Sequence, residues 1–228
     1  MPPDTLPLLL LTRPEPASRR FAAQAAHLGL PVIVAPVLRI VAVAHDVGRL
    51  QAARGLVFTS AHAVPAAGPG RCRPAICVGP ATAEAARAAG YDVTEGPGDA
   101  LRMMPLLDEL DEGWLHPHGA HVGKRLPVPG MVVYDQLPQP LGAAAHDALA
   151  GAGPVILPLF SPRSARLLSD RLDGARAALW LVPISPAAAD QWQRPYARMI
   201  VADQPDATGI LRGIEALLGR RESPEQSV

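Results

Sequence analysis

At 228 residues, 49% hydrophobic and only 4% aromatic, the chain can form one large domain or two small ones around a core of Ala, Val and Leu. Its 21 Lys and Arg balance 21 Asp and Glu, so the basic footprint of a nucleic-acid-binding protein is missing. No stretch approaches the roughly 18–20 apolar residues of a membrane span, and the opening Met1-Pro2-Pro3-Asp4 does not read as a signal peptide. Cys72 and Cys77 can bridge, but two cysteines in a chain this size suit a reduced compartment better. A cytoplasmic protein without a nucleic-acid or membrane partner is expected.

Strand and helix patterns alternate from one end to the other. Residues 6–12 form a short apolar run ending in Thr12-Arg13-Pro14, a buried strand and a turn. Residues 18–28 are expected to be helical, with Phe21, Ala25 and Leu28 on one face and Gly29 as the stop. Strands follow at 31–35, 37–43, 55–59 and 75–78, with a weak helix from Ala61 and a clear one over 81–89 closed by Gly90. Residues 91–93 read as a strand, 100–110 as a helix, 114–116 as a strand, 121–125 as the opening of a weak helix, and 131–134 as extended. Beyond Pro138 and Pro140, helices are expected at 142–150, 164–172, 187–192 and 208–218, and strands at 155–160, 178–182 and 199–201. The polar tail from Arg220 is expected to fray. This alternation predicts an α/β fold with parallel sheets.

The chain also echoes itself. Leu56-Val57-Phe58-Thr59-Ser60 is matched by Leu157-Pro158-Leu159-Phe160-Ser161 at an offset of 101 residues, and Val78-Gly79-Pro80-Ala81 by Ile184-Ser185-Pro186-Ala187 at 106. A third pair, Leu11-Thr12-Arg13-Pro14 against His116-Pro117-His118-Gly119, lies at 105. Each segment is a strand end, a turn and a helix start. Two such α/β halves facing each other would line a cleft with helix N-termini, which suits an anionic ligand.

Candidate site residues follow from that pattern, because ligands of open α/β sheets bind outside the carboxyl ends of strands. Thr59, Ser60 and Ser161 offer hydroxyls there, although Ser and Thr also favour plain helix capping. Gly79 lets backbone approach a ligand closely, and Ser185 holds the equivalent place in the other half. No GxGxxG or GxxxxGK[ST] loop supports nucleotide binding. His116, His118 and His121 lack the Cys or acidic neighbours of a known metal spacing, so no metal is expected, although a histidine here can still touch substrate. Arg13, Arg39, Arg163, Lys124 and Arg125 lie near strand ends, and Arg13 and Arg163 stand out as carboxylate grips. Tyr134 is either a packed aromatic or a phenol able to donate a proton.

Together these segments resemble the uroporphyrinogen-III synthase family. The residues that carry the resemblance are Leu11 to Pro14, Val57 to Val64, Val78 to Ala86 with Gly90-Tyr91, Val133-Tyr134, and Phe160 to Ala165. The resemblance implies two similar parallel-sheet α/β domains joined by a two-stranded connector, the chain crossing twice. One domain would hold residues 1–35 plus 138–228 and the other 40–131, with connector strands at 36–39 and 132–137. It implies a monomer that uses no cofactor and cyclises hydroxymethylbilane, a carboxylate-rich linear tetrapyrrole, with loss of water and inversion of ring D. Tyr134 would be the catalytic group. Arg13, Thr59, Ser60, Ala61, Gly79, Thr82, His118, Ser161, Arg163 and Ser185 would bind substrate. The chain departs from the family at His118-Gly119-Ala120, where relatives often read arginine-glycine-glutamate, and at Ala188, where they have threonine. Two alternatives stay open: a non-catalytic two-lobed protein that binds a small anion or tetrapyrrole, and a synthase-like domain without activity.

Overall fold

The structure, a computed structural model, describes residues 6–122 and 125–219; residues 1–5, Gly123, Lys124 and the tail from Arg220 lie outside them. In chain order the regular elements are β1 (Leu8–Leu11), α1 (Glu15–Gln24), β2 (Val32–Val34), β3 (Leu38–Ala42), α2 (Val47–Ala52), β4 (Gly55–Phe58), α3 (Val64–Ala67), β5 (Pro74–Cys77), α4 (Pro80–Ala88) and β6 (Asp92–Glu95). They continue with β7 (Trp114–Gly119), β8 (Gly130–Pro138), α5 (Ala143–Ala150), β9 (Pro154–Leu159), α6 (Pro162–Ser169), β10 (Ala178–Pro183), α7 (Pro186–Ala189), β11 (Arg198–Met199) and α8 (Ala207–Leu217). The expected mixed α/β class with parallel sheets is what the chain forms.

The chain divides into two units, one ending at Arg39 and resuming at Pro138, the other Ile40–Leu137. The first holds a five-stranded sheet of order β11-β10-β9-β1-β2, paired in parallel throughout. Successive side chains of a strand point to opposite faces, so the apolar runs fill two cores. Leu10, Val155, Leu157, Leu179 and Leu181 pack with Leu149 of α5 and Leu168 of α6. Leu9, Leu11, Ile156 and Val182 pack with Phe21 of α1 and with Ile210 and Ile214 of α8. Burial on both faces is why these strands read as continuous apolar runs rather than as alternating ones.

The second unit carries the sheet of order β3-β8-β7-β4-β5-β6. One core joins Leu56, Phe58, Cys77 and Leu115 to Leu50 of α2, Val64 of α3 and Ala83 of α4. The other gathers Val57 and Ile76 with Met103, Leu107, Leu126 and Val128. The echoed segments take matching places: β10-β9-β1 in one sheet and β5-β4-β7 in the other run side by side in the same order. Internal similarity seen in the sequence is thus repeated in sheet order.

Several expectations are corrected. Residues 100–110 form turns and a short 3₁₀ segment at Met104–Leu106 instead of a helix. Pro105 has no N–H to donate into a helix, and Asp99 ties the turn by accepting from the Leu101 and Arg102 amides at 2.9 Å. No helix opens at 121–125 among its described residues. The helix expected over 18–28 begins earlier, at Glu15, and gives way to a 3₁₀ turn (Ala26–Leu28) before Gly29 at φ 63°. Helix α2 went unforeseen, although Asp46 caps it by accepting from Arg49 N at 2.8 Å. Cys72 and Cys77 are free thiols, Cys72 exposed and Cys77 buried, and burial raises the Cys77 pKa to about 11.

Tyr91 ties the second unit's core to its loops. Its ring meets Phe58 edge-on at 5.3 Å. Its hydroxyl accepts from Arg73 Nη2 at 3.0 Å and faces the Gly68 and Ala67 carbonyls at 3.1 and 3.2 Å. Arg73 Nη1 in turn donates to Leu50 O at 2.9 Å. Removing the hydroxyl leaves buried polar groups short of a partner, which costs about 1–3 kcal/mol. Tyr91→Phe should therefore lower the urea midpoint by that equivalent with an unchanged m-value, measured by circular dichroism.

Candidate active site

Parallel strands all end on the same side of a sheet, so the loops that follow them gather along one edge. In the second unit this edge brings together Thr59 and Ser60 after β4, Gly79 after β5, and His118 and Gly119 at the end of β7. Ser60 caps the 3₁₀ turn Ala61–Ala63, its Oγ accepting from His62 N at 3.3 Å. Gly79 precedes α4 in extended conformation at φ −177°, so its need for glycine is spatial: a Cβ there would sit 3.0 Å from Gly98 Cα. Thr82, in the first turn of α4, is buried.

Thr59 is engaged differently from the sequence expectation. Its Oγ1 lies 2.9 Å from Nε2 of His116, a buried imidazole on β7. Burial, and next to it the charge of His118, push the His116 pKa down to about 4, so the ring is neutral at pH 7. The His116 and His118 rings sit 4.9 Å apart. His118 Nδ1–H donates to the Gly119 carbonyl at 2.8 Å, since a carbonyl can only accept. Tyr134, on the neighbouring strand β8, is opposite Gly119 and meets His62 edge-on at 5.8 Å. Its ring is buried among Phe58, Leu115 and Val133, while its hydroxyl has no hydrogen-bond partner among the described residues. The structure therefore forms two groups near this edge: Thr59, His116 and His118, joined by the 2.9 Å contact and the paired rings, and His62 with Tyr134, whose rings meet edge-on over an apolar core.

The first unit repeats the edge with different chemistry. Ser161 caps α6, its Oγ accepting from Ser164 N at 3.1 Å and lying 2.8 Å from Ser164 Oγ. Ser185 caps α7, accepting from Ala188 N at 3.3 Å. Arg13 follows β1, and its guanidinium lies over the Phe160 ring at 4.2 Å. Burial, and then the charge of Arg20, lower its pKa. Arg163 sits half-buried in the first turn of α6. Because β1, β9 and β10 are adjacent, Arg13, Ser161 and Ser185 share one edge. Among the described residues, no group of three or more His, Cys, Asp or Glu is disposed to hold a metal ion.

His62 was not singled out for the site from the sequence, and His116 was raised only as a histidine able to touch substrate. The HPHGAH run pointed to His116 and His118, but a buried imidazole bonded to a threonine far away in the chain is set by the β4–β7 pairing alone. Its depressed pKa has a measurable consequence. Below about pH 6.5 the unfolded chain binds a proton that the folded chain refuses until about pH 4. Stability is complete above that window and should fall as pH drops through it, by on the order of 3 kcal/mol. Urea unfolding from pH 7 to pH 4 should show this slope, and His116→Gln should flatten it.

The family model HEM4, described as uroporphyrinogen-III synthase HemD, matches residues 19–212. Among solved structures, the chain is similar to the uroporphyrinogen-III synthetase of Helicobacter pylori 26695, with a TM-score of 0.62, 15% identity, and coverage of 95% of this chain and 100% of that one. A mutant uroporphyrinogen III synthase of the extremely thermophilic bacterium Thermus thermophilus superimposes at a TM-score of 0.47, with 15% identity over 95% of this chain and 100% of that one. No curated protein matches. The Helicobacter likeness concerns the fold. Membership rests on the family model, whose match spans most of the chain: this protein belongs to the uroporphyrinogen-III synthase HemD family, cyclising lyases of heme biosynthesis.

Proposed function

We propose that this chain cyclises hydroxymethylbilane with loss of water and inversion of ring D to give uroporphyrinogen III, and that Tyr134 assists the departing oxygen. The family match over residues 19–212 carries the reaction. The place of Tyr134 beside the end of β7, with a phenol hydroxyl unclaimed by described neighbours, carries its assignment. The hydroxymethyl C–O bond breaks as the phenol gives its proton to the leaving oxygen, and water departs. The electron-deficient carbon left behind is attacked by ring D, which rearranges through a spiro intermediate before the macrocycle closes and a proton is lost. No electron transfer is needed. Free substrate closes without inversion, so the protein must hold the reacting ends in the productive orientation.

Orientation falls to the edge residues. In the first unit Arg13, Arg163, Ser161 and Ser185, and in the second Thr59, Ser60, Ala61, Gly79, Thr82 and His118, are the donors or close-approach points we assign to substrate carboxylates. Thr59 presents its backbone and a hydroxyl already oriented by His116. We further propose residues 1–35 with 138–228 and 40–131 as the functional domains, residues 36–39 and 132–137 as connector strands, and a cytoplasmic monomer. The described residues contain no helix long and apolar enough to cross a membrane.

Two variants test the roles separately, with freshly made hydroxymethylbilane and separation of type I from type III product. Tyr134→Phe should lower kcat by roughly ten- to a hundredfold, at or below the lower end of a general-acid contribution, with a thermal midpoint close to that of the parent. Unchanged turnover would remove the phenol from the chemistry. Arg13→Gln should raise KM about tenfold with little change in kcat, as expected when a charged hydrogen bond made equally to substrate and transition state is lost. A fall in kcat at constant KM would place Arg13 at the reacting centre instead.

A further inference from the structure

The pairing of β7 with β8 is irregular where the candidate site lies. His116 is opposite Gly130, Pro117 opposite Met131 and His118 opposite Val132, but Gly119 is opposite Tyr134. Val133 is the extra residue, a bulge in a parallel pair, where bulges are rare. Regular alternation would send Val133 and Tyr134 to opposite faces. Both instead pack in the same buried core, at 1% and 6% exposure.

The bulge alone does not make room for the ring. A Cβ at Gly119 would lie 2.7 Å from Cε2 and Cζ of Tyr134 and 3.0 Å from its hydroxyl oxygen. Gly119 is not among the residues of positive φ, so any residue could adopt its backbone. What glycine supplies there is clearance. The arrangement is reciprocal: a Cβ at Gly130 of β8 would lie 2.6 Å from Nε2 of His118 on β7. Each strand thus carries a ring that lies over a glycine of the other. His118 also holds the Gly119 peptide through its bond to the carbonyl, and Ala120 N donates to Tyr134 O at 2.9 Å. The glycine, the bulge and the phenol form one steric unit.

We propose that Gly119 is a positioning residue for the Tyr134 phenol: its missing side chain and the bulge opposite it set where the hydroxyl meets the substrate. This rests on the reading of Tyr134 as the group that assists water loss. A side chain at Gly119 would displace the ring tip by contact with its outer carbons, while leaving the binding edges of β4 and β5 in place. The effect should therefore appear in kcat, and in the share of type III product, more than in KM.

The test is a pair of cycles on the full chain. In the first, Gly119→Ala is measured alone and in combination with Tyr134→Phe. Alone, it should lower kcat at least tenfold with KM within about twofold. Added to Tyr134→Phe, it should lower kcat less than twofold further, because the hydroxyl it displaces is already gone. An equal loss in both backgrounds, or full turnover in a folded Gly119→Ala, would overturn the positioning role while leaving the reading of Tyr134 intact. Full turnover in Tyr134→Phe alone would remove that reading and this inference with it. The second cycle covers a variant that folds poorly. Tyr134→Leu removes the ring atoms a Cβ would strike, so the drop in thermal midpoint caused by Gly119→Ala should vanish in that background. A drop of the same size there would place the cost in the backbone and refute the steric unit.

Discussion

Parallel pairing is the constraint from which the rest of this protein follows. Strands that run the same way must be connected across the faces of the sheet, so helices cover it and both faces are apolar. Polar chemistry is then excluded from the middle of each unit and appears where the strands stop. Arg13, Ser161 and Ser185 reach one edge because β1, β9 and β10 are neighbours. Thr59, Gly79 and His118 reach another because β5, β4 and β7 are. Within each edge, the residues come from segments far apart in the chain.

At both edges the hydroxyls already serve the fold. Ser60, Ser161 and Ser185 each accept a hydrogen bond from an amide of the turn or helix they begin. A cap of this kind leaves a lone pair of each hydroxyl and the neighbouring amides available for further hydrogen bonds. Thr59 shows a tighter coupling. Its partner His116 is buried and neutral at pH 7, so it orients the hydroxyl without bringing a charge to that edge.

The tyrosine region works by shape. With so few aromatic residues available, the chain places Phe58, Tyr91 and Tyr134 in one core, and it makes space for Tyr134 and His118 with glycines on the facing strands. A register shift of one residue moves a side chain to the other face of a sheet. The bulge at Val133 uses that rule locally, bringing two adjacent residues into a single core.

Much of this fold is legible in the amino-acid order. Continuous apolar runs such as Leu8–Leu11 and Pro154–Leu159 mark strands buried on both faces, Gly29 and Gly90 stop the segments before them, and Ser161-Pro162 announces a helix start, because each signal is local in the chain. The echo of Thr59-Ser60 in Phe160-Ser161 points correctly to equivalent strand ends. Local signals also mislead: the apolar spacing over residues 100–110 fits a helix, yet Met103 and Leu107 reach their core from turns around Pro105. What the amino-acid order could not reveal depends on pairing between distant segments. The bond between Thr59 and His116, the clearance of Tyr134 over Gly119 and the bulge at Val133 exist only once β7 lies between β4 and β8. Composition and periodicity determine which residues are buried in strands and helices. Which side chains then meet is decided by register, a property of two chain segments at once.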